Sequence, residues 1–201
     1  MRFGRRAALL GAALLPVAAY AADPDTMQPI QGLLQGLTQV AAAGRGTPFA
    51  QRFNLLAPSV ERAFDLPAIL QLAVGPRWAS LPPAEQQTLM DAFRKFTVCS
   101  YVANFDNANG QQIQVVPENR NVGADQVVAT QLTGGGDTTR IDYVMRRTAS
   151  GWKAVDVLLN GAISQVAVNR SDWRALLASG AGALISSLQG RVATLSGGAI
   201  R

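Results

Sequence analysis

Gly151-Trp152-Lys153-Ala154-Val155-Asp156-Val157-Leu158-Leu159-Asn160-Gly161 decides how this chain is read. Val155, Val157 and Leu159 form an apolar row at alternate positions, which is the pattern of a strand with one face buried. Working back, Ile141, Tyr143 and Met145 repeat that alternation against Asp142, Val144 and Arg146. The spacing predicts four strands, near Gln112 to Val116, Gln126 to Leu132, Thr139 to Arg146 and Gly151 to Leu159. Gly134-Gly135-Gly136-Asp137 and Ala149-Ser150-Gly151 read as hairpin turns, so the last three strands form an antiparallel meander. A curved sheet with one apolar face is expected.

Upstream the period changes from two to between three and four. Ile30, Leu33, Leu34, Leu37 and Val40 make the apolar stripe of a helix from Met27 to Ala42, stopped by Gly44-Arg45-Gly46-Thr47-Pro48. Short helices broken at Pro58 and Pro67 follow, then another from Leu66 to Val74. Pro83 and Glu85 mark the first turn of a long helix running to about Asn104, since proline loses nothing there and an acid faces the positive end of the helix dipole. Leu89, Phe93, Phe96 and Ser100 lie along one ridge of it, with Met90, Thr97 and Tyr101 beside them. Ser171 is expected to cap one C-terminal helix through Trp173, Leu176, Leu177, Ile185 and Leu188. The fold class is therefore α+β, with an N-terminal helical part and a curved four-stranded antiparallel sheet packed by helices. The apolar helix and sheet faces enclose either a dry core or an apolar ligand, and both readings stay open at this point.

The N-terminus predicts export. Arg2, Arg5 and Arg6 precede an apolar run from Ala7 to Ala19, and Ala19-Tyr20-Ala21 supplies the small residues a signal peptidase requires. Residues 1–21 are expected to be a cleaved signal peptide, by the general or the twin-arginine route. The run is short for a bilayer span and is followed by Ala22-Asp23-Pro24-Asp25. The expected domain occupies 22–194, helical over about 22–105 and sheet plus C-terminal helix over about 106–194, with a flexible tail at 195–201.

Charge and residue usage exclude several classes of function. Loss of residues 1–21 removes three Arg and no acid, lowering the net charge from +5 to +2. The remaining basic residues are scattered, without the dense stripe and interleaved aromatics of a nucleic-acid surface, so no nucleic-acid partner is expected. Cys99 is the lone cysteine, so no internal disulfide forms. The chain has no His, which removes the commonest general base, the Ser-His and Cys-His nucleophile pairs and the commonest transition-metal ligand. No metal or cofactor is expected. Asp65, Asp106, Asp142 and Asp156 are candidate acid/base residues, but no spacing brings two together, and surface or capping roles fit them better. Gly134-Gly135-Gly136 lacks the helix and Lys of a phosphate loop.

The order of several short motifs carries a resemblance. Phe53-Asn54-Leu55-Leu56-Ala57-Pro58, Phe64-Asp65-Leu66, Gly75-Pro76-Arg77-Trp78, the Glu85-Gln86-Gln87 helix with Phe93 and Tyr101, Ile141-Asp142-Tyr143, Trp152 to Val157, Gly161-Ala162-Ile163-Ser164, Trp173 and Gly180 follow one another over nearly the whole mature chain. In that order the chain resembles the toluene-tolerance or MlaC family of periplasmic phospholipid carriers. Thr97 to Asp106 and Ile163 to Val168 look most similar to its hopanoid-associated branch, HpnM. The resemblance implies a sheet of nuclear-transport-factor-2 (NTF2) type and a carrier without chemistry, ferrying lipid between membranes. It implies as partners a phospholipid or hopanoid ligand, an inner-membrane ABC transporter with a lipid-binding MCE component or a hopanoid exporter, and an outer-membrane lipoprotein complex. On that reading Leu70, Val74, Met90, Phe93, Val128, Tyr143, Met145, Val155 and Val157 are expected in the pocket wall, with Arg77 and Arg94 near the head group. An enzyme on the same fold would need a polar funnel with paired acids, and an adaptor a filled core with a sticky patch.

Overall fold

The computed structural model describes residues 24–105, 112–134 and 136–201. The predicted signal peptide, Asp106 and Gly135 lie outside them. Helix α1 spans Pro24–Ala43, α2 Phe49–Ala63, α3 Leu66–Val74 and α4 Pro83–Asn104, with a 3-10 turn at Gly75–Ser80 between the last two. The sheet follows as β1 Gln112–Val122, β2 Asp125–Gly134, β3 Asp137–Thr148, β4 Gly151–Leu159 and the short β5 Ile163–Ser164. Helices α5 (Gln165–Leu176) and α6 (Gly182–Ser196) complete the chain. The strands lie side by side in chain order, every neighbouring pair antiparallel. The expected α+β architecture is present, with β5 as an additional strand.

The predicted stripe on α1 is the centre of the core: Ile30, Leu33, Leu37 and Val40 are buried. Helix α2 packs closely across it because Gly36 has no side chain. A Cβ there would stand 2.7 Å from Ser59 Oγ. Pro58 does not break α2 as expected. It lies on the exposed side of the helix with Asn54, whose unpaired carbonyl can meet water, while buried Leu56, Ala57 and Val60 keep the helix against its neighbours. Pro67 instead falls in the first turn of α3, and the Asp65 carboxylate caps that helix by accepting the Ala68 N–H at 3.0 Å. Asp65 is a cap, one of the two roles expected for it.

The C-terminal region differs from expectation. There are two helices rather than one, separated at Gly180, whose φ of +115° suits glycine. Ser171 lies inside α5, and the capping residue is Ser164, whose hydroxyl accepts the Ala167 N–H at 3.0 Å. The segment 195–201 is not a loose tail. Helix α6 continues to Ser196, Leu195 and Ile200 pack on the core, and the Lys95 ammonium donates to the Arg201 carbonyl.

The sheet also holds a displacement that alternation cannot show. Met145 pairs with Ala154 and Val144 with Asp156, leaving Val155 as the extra residue of a β-bulge. Val155 therefore joins Val144, Leu158 and Ala68 in a small cluster of its own, apart from the main core containing Ile141, Tyr143, Met145 and Ala154. Strand β1 runs six residues past the predicted end at Val116, its register shifting between Val116 and Arg120 around Pro117.

Candidate functional site

The main core does not fill the space between α4 and the sheet. Phe93, Phe96, Thr97, Ser100, Tyr101, Asn104 and Phe105 on the α4 side face Leu132 of β2, Ile141 of β3 and Val157 and Leu159 of β4 across a cavity of about 780 Å³. This lies within the roughly 300–1,000 Å³ typical of small-molecule sites. Phe64, Leu66, Ile69, Phe93, Ile141 and Val166 are buried and form its floor. Leu159, Val168, Asp172, Arg191 and Thr194 are exposed and form its mouth, contributed by β4, α5 and α6. A smaller recess of about 420 Å³, between the end of α1 and the start of β1, shares Phe105 and Leu132 as wall residues.

Several polar wall groups are already engaged. Thr97 and Ser100 donate their hydroxyls to the carbonyls of Phe93 and Phe96 one turn earlier, at 2.9 and 2.8 Å. Asp156 Oδ1 accepts from the Val157 and Val166 backbone N–H groups at 2.8 and 3.1 Å, and Oδ2 from the Ser164 hydroxyl. It ties β4 to the start of α5. Asp142 is fully buried outside the cavity lining, held bidentately by Arg140 at 2.9 and 3.0 Å and also by Arg120, with Glu118 closing the network on Arg140 at 2.7 Å. Arg140 holds the Glu118 carboxyl below its usual range, chiefly by hydrogen bonding. Asp65, Asp142 and Asp156 thus serve as cap and braces, and of the two acids that line the cavity Asp156 is engaged while Asp172 is exposed at the mouth. Among the described residues no group of three His, Cys, Asp or Glu is arranged to hold a metal ion.

Arg191 is different. It is the single cation in the cavity wall, its guanidinium lying 4.9 Å from the Phe96 ring centre, and it makes no ion pair among the described residues. Its mouth neighbour Asp172 carries the opposite charge.

An aromatic group closes the inner end. Phe64 lies 5.6 Å from Tyr101 and 5.9 Å from Tyr143, and Phe105 stacks on Tyr101 at 5.7 Å. Burial pushes the Tyr143 phenol up to about 12, and burial with the neighbouring Tyr143 places Tyr101 well above the ordinary phenol value. Both phenols are neutral at physiological pH.

The residues expected in the pocket divide sharply. Phe93 and Val157 line the cavity. Leu70 and Val74 of α3, and Val128, Tyr143 and Met145 of the sheet, lie in the packed core, and Met90 packs half-buried against it. Val155 is carried to the other cluster by the bulge. Neither predicted head-group arginine is at the mouth. Arg77 donates to the Leu177 carbonyl at 2.7 Å, closing the end of α5, and Arg94 pairs with Glu61 of α2 at 2.6 Å. Arg191 was missed because a lone Arg in a small-residue helix has no local signal. Its place depends on how α6 packs along α4.

Helices and a curled antiparallel sheet around a largely apolar cavity define an α+β protein with room for a ligand between its layers. The sequence profile of the MlaC protein family matches residues 30–190, and the chain belongs to that family. Its fold is also similar to that of a phospholipid-binding protein from Ralstonia solanacearum, solved in complex with a phospholipid. The TM-score is 0.73 at 22% sequence identity, over 86% of this chain and 99% of that one.

Proposed function

We propose that this protein is a periplasmic carrier that shelters the apolar part of a phospholipid in the cavity between α4 and the sheet while the lipid crosses between inner and outer membranes. The observation that carries this reading is the graded wall: a buried aliphatic and aromatic floor, and a mouth where Arg191 has no ion-pair partner among the described residues. Each methylene kept from water is worth about 0.8 kcal/mol, so twenty of them represent roughly 16 kcal/mol that must not be exposed in transit. A bilayer offers the same shelter, so the carrier need only match it approximately, and small changes on docking suffice for loading and release. Membership of the MlaC family supports this role, as does the phospholipid held by the similar Ralstonia protein.

Arg191 is the residue we assign to the phosphate, and Asp172 suits the ammonium of a zwitterionic head group. No bond is made or broken on this reading. Asp156, the acid nearer the cavity floor, is engaged by the Val157 and Val166 N–H groups, and the chain has no His to serve as a base. An inner-membrane ABC transporter with an MCE component and an outer-membrane lipoprotein complex are the expected partners at the two membranes. Among the described residues no helix is long and apolar enough to cross a membrane.

The test is native mass spectrometry of protein purified from the periplasm, with extraction and identification of bound lipid. A two-chain phospholipid at one per protein is the expected result. A hopanoid in its place would redirect the reading to the specialised branch, and an empty protein under gentle purification would refute the carrier.

A further inference from the structure

Two phenols lie together in the aromatic end of the cavity, and their hydrogen bonds do not balance. Tyr143 is fully buried, and its hydroxyl has no hydrogen-bond partner among the described residues. Tyr101 is half-buried, lines the cavity and sits beside it, Phe64 bridging the two rings. The two hydroxyls are close enough for each phenol to alter the other's ionisation through a side-chain contact, although the Tyr143 hydroxyl has no partner at full hydrogen-bond geometry. Even after a small rotation only one hydroxyl can donate to the other, so one proton remains without an acceptor. Leaving it unmet in an apolar wall is unfavourable, and buried hydroxyls nearly always have a partner. The surrounding side chains, Phe64, Phe105, Ile141 and Val157, offer none.

We propose that the Tyr101–Tyr143 pair is a polar subsite at the aromatic end of the cavity, donating a hydrogen bond to an acceptor oxygen of the bound lipid, the ester carbonyl of a glycerolipid. The subsite discriminates among lipids of equal apolar bulk, which an aliphatic wall alone cannot do. Tyr101 makes the contact and Tyr143, behind it, is a positioning residue that orients its hydroxyl. This inference rests on the carrier reading of the same cavity.

The experiment loads delipidated full-length protein with an equimolar mixture of diacyl (ester-linked) and dialkyl (ether-linked) phosphatidylethanolamine of identical chain length, and reads the bound ratio by native mass spectrometry. The ether lipid keeps the head group and tails but has no carbonyl. The unsubstituted protein is expected to favour the ester lipid about five- to tenfold, the value of one ordinary hydrogen bond. Tyr101→Phe should bring the ratio near one, and Tyr143→Phe should reduce it partway while total lipid bound stays the same. An ester preference absent from the unsubstituted protein, or surviving in both variants, would overturn the subsite. So would a dependence on Tyr101 seen only with a tail-hydroxylated lipid, because the oxygen read would then not be the carbonyl. Failure to load either lipid would instead count against the carrier reading. Thermal melting of each variant confirms that the folded protein is being compared.

Discussion

The two ends of this molecule are built from the same residue types and do opposite things with them. At the end made by α1 and α2, Leu33, Leu56 and Val60 are completely buried, and Gly36 lets the helix backbones approach until no room remains for even a methyl group. At the end made by α4, α5 and α6, large aromatics such as Phe96, Tyr101 and Phe105 stay half-exposed around a cavity of about 780 Å³. Apolar content is shared, and spacing separates them. A tight crossing makes a core, whereas the same kind of stripe held away from its sheet makes a site.

That contrast breaks most visibly under truncation. Leu33→Ala at the closed end should cost about 2–5 kcal/mol of stability, because surrounding atoms only partly collapse into the space left. Urea denaturation measures it, and a loss below 1 kcal/mol would mean that the closed end is not close-packed. At the open end the effect moves from stability to binding: Val157→Trp has room to enter the cavity, so it should strongly reduce bound lipid while leaving the unfolding midpoint nearly unchanged. Unchanged lipid stoichiometry would remove Val157 from the binding wall.

Alkaline titration sharpens the boundary between the two ends. Burial raises the Tyr101 and Tyr143 phenols, Tyr143 to about 12, whereas in the unfolded chain they ionise near pH 10. The folded state therefore keeps protons that the unfolded state releases. Stability should be full below about pH 10 and fall as pH rises from there towards 12 and beyond. Tyrosinate absorbance that rises near pH 10 while the protein remains folded would show the phenols to be open to water. The smallest expected effect is at the mouth. Arg191 is exposed, so Arg191→Gln should weaken retention of an anionic or zwitterionic phospholipid only a few-fold, an effect diminished by salt. A larger loss, insensitive to salt, would place Arg191 in a buried contact instead.

Much of the fold was legible because it rests on period and punctuation. The α1 stripe, the α4 start at Pro83, the β2 to β4 meander and its glycine turns are local signals, and they stand where the residues place them. The site was legible only in part. Phe93 and Val157 were recognisable as apolar residues on the correct elements, but so were Leu70, Met145 and Val128, which are core. Alternation put Val155 and Val157 in one row, and the bulge separated them, since one extra residue reverses the face and leaves no mark in the hydrophobic pattern. Arginines were harder still. Arg77 and Arg94 stood near apolar helices and found a carbonyl and a carboxylate, while Arg191 acquired its place from the packing of α6 along α4.

The amino-acid sequence by itself determined the α1 and α4 helices, the antiparallel order of the main strands and the absence of His-based chemistry, because dihedral preference, hydrophobic period and residue inventory are properties of short stretches. Which apolar residues enclose a cavity, which cation stands at its mouth and which hydroxyl is left unpaired were decided by tertiary structure alone. These depend on distances between elements far apart in the chain, set by the Gly36 crossing, the β4 bulge and the break between α5 and α6.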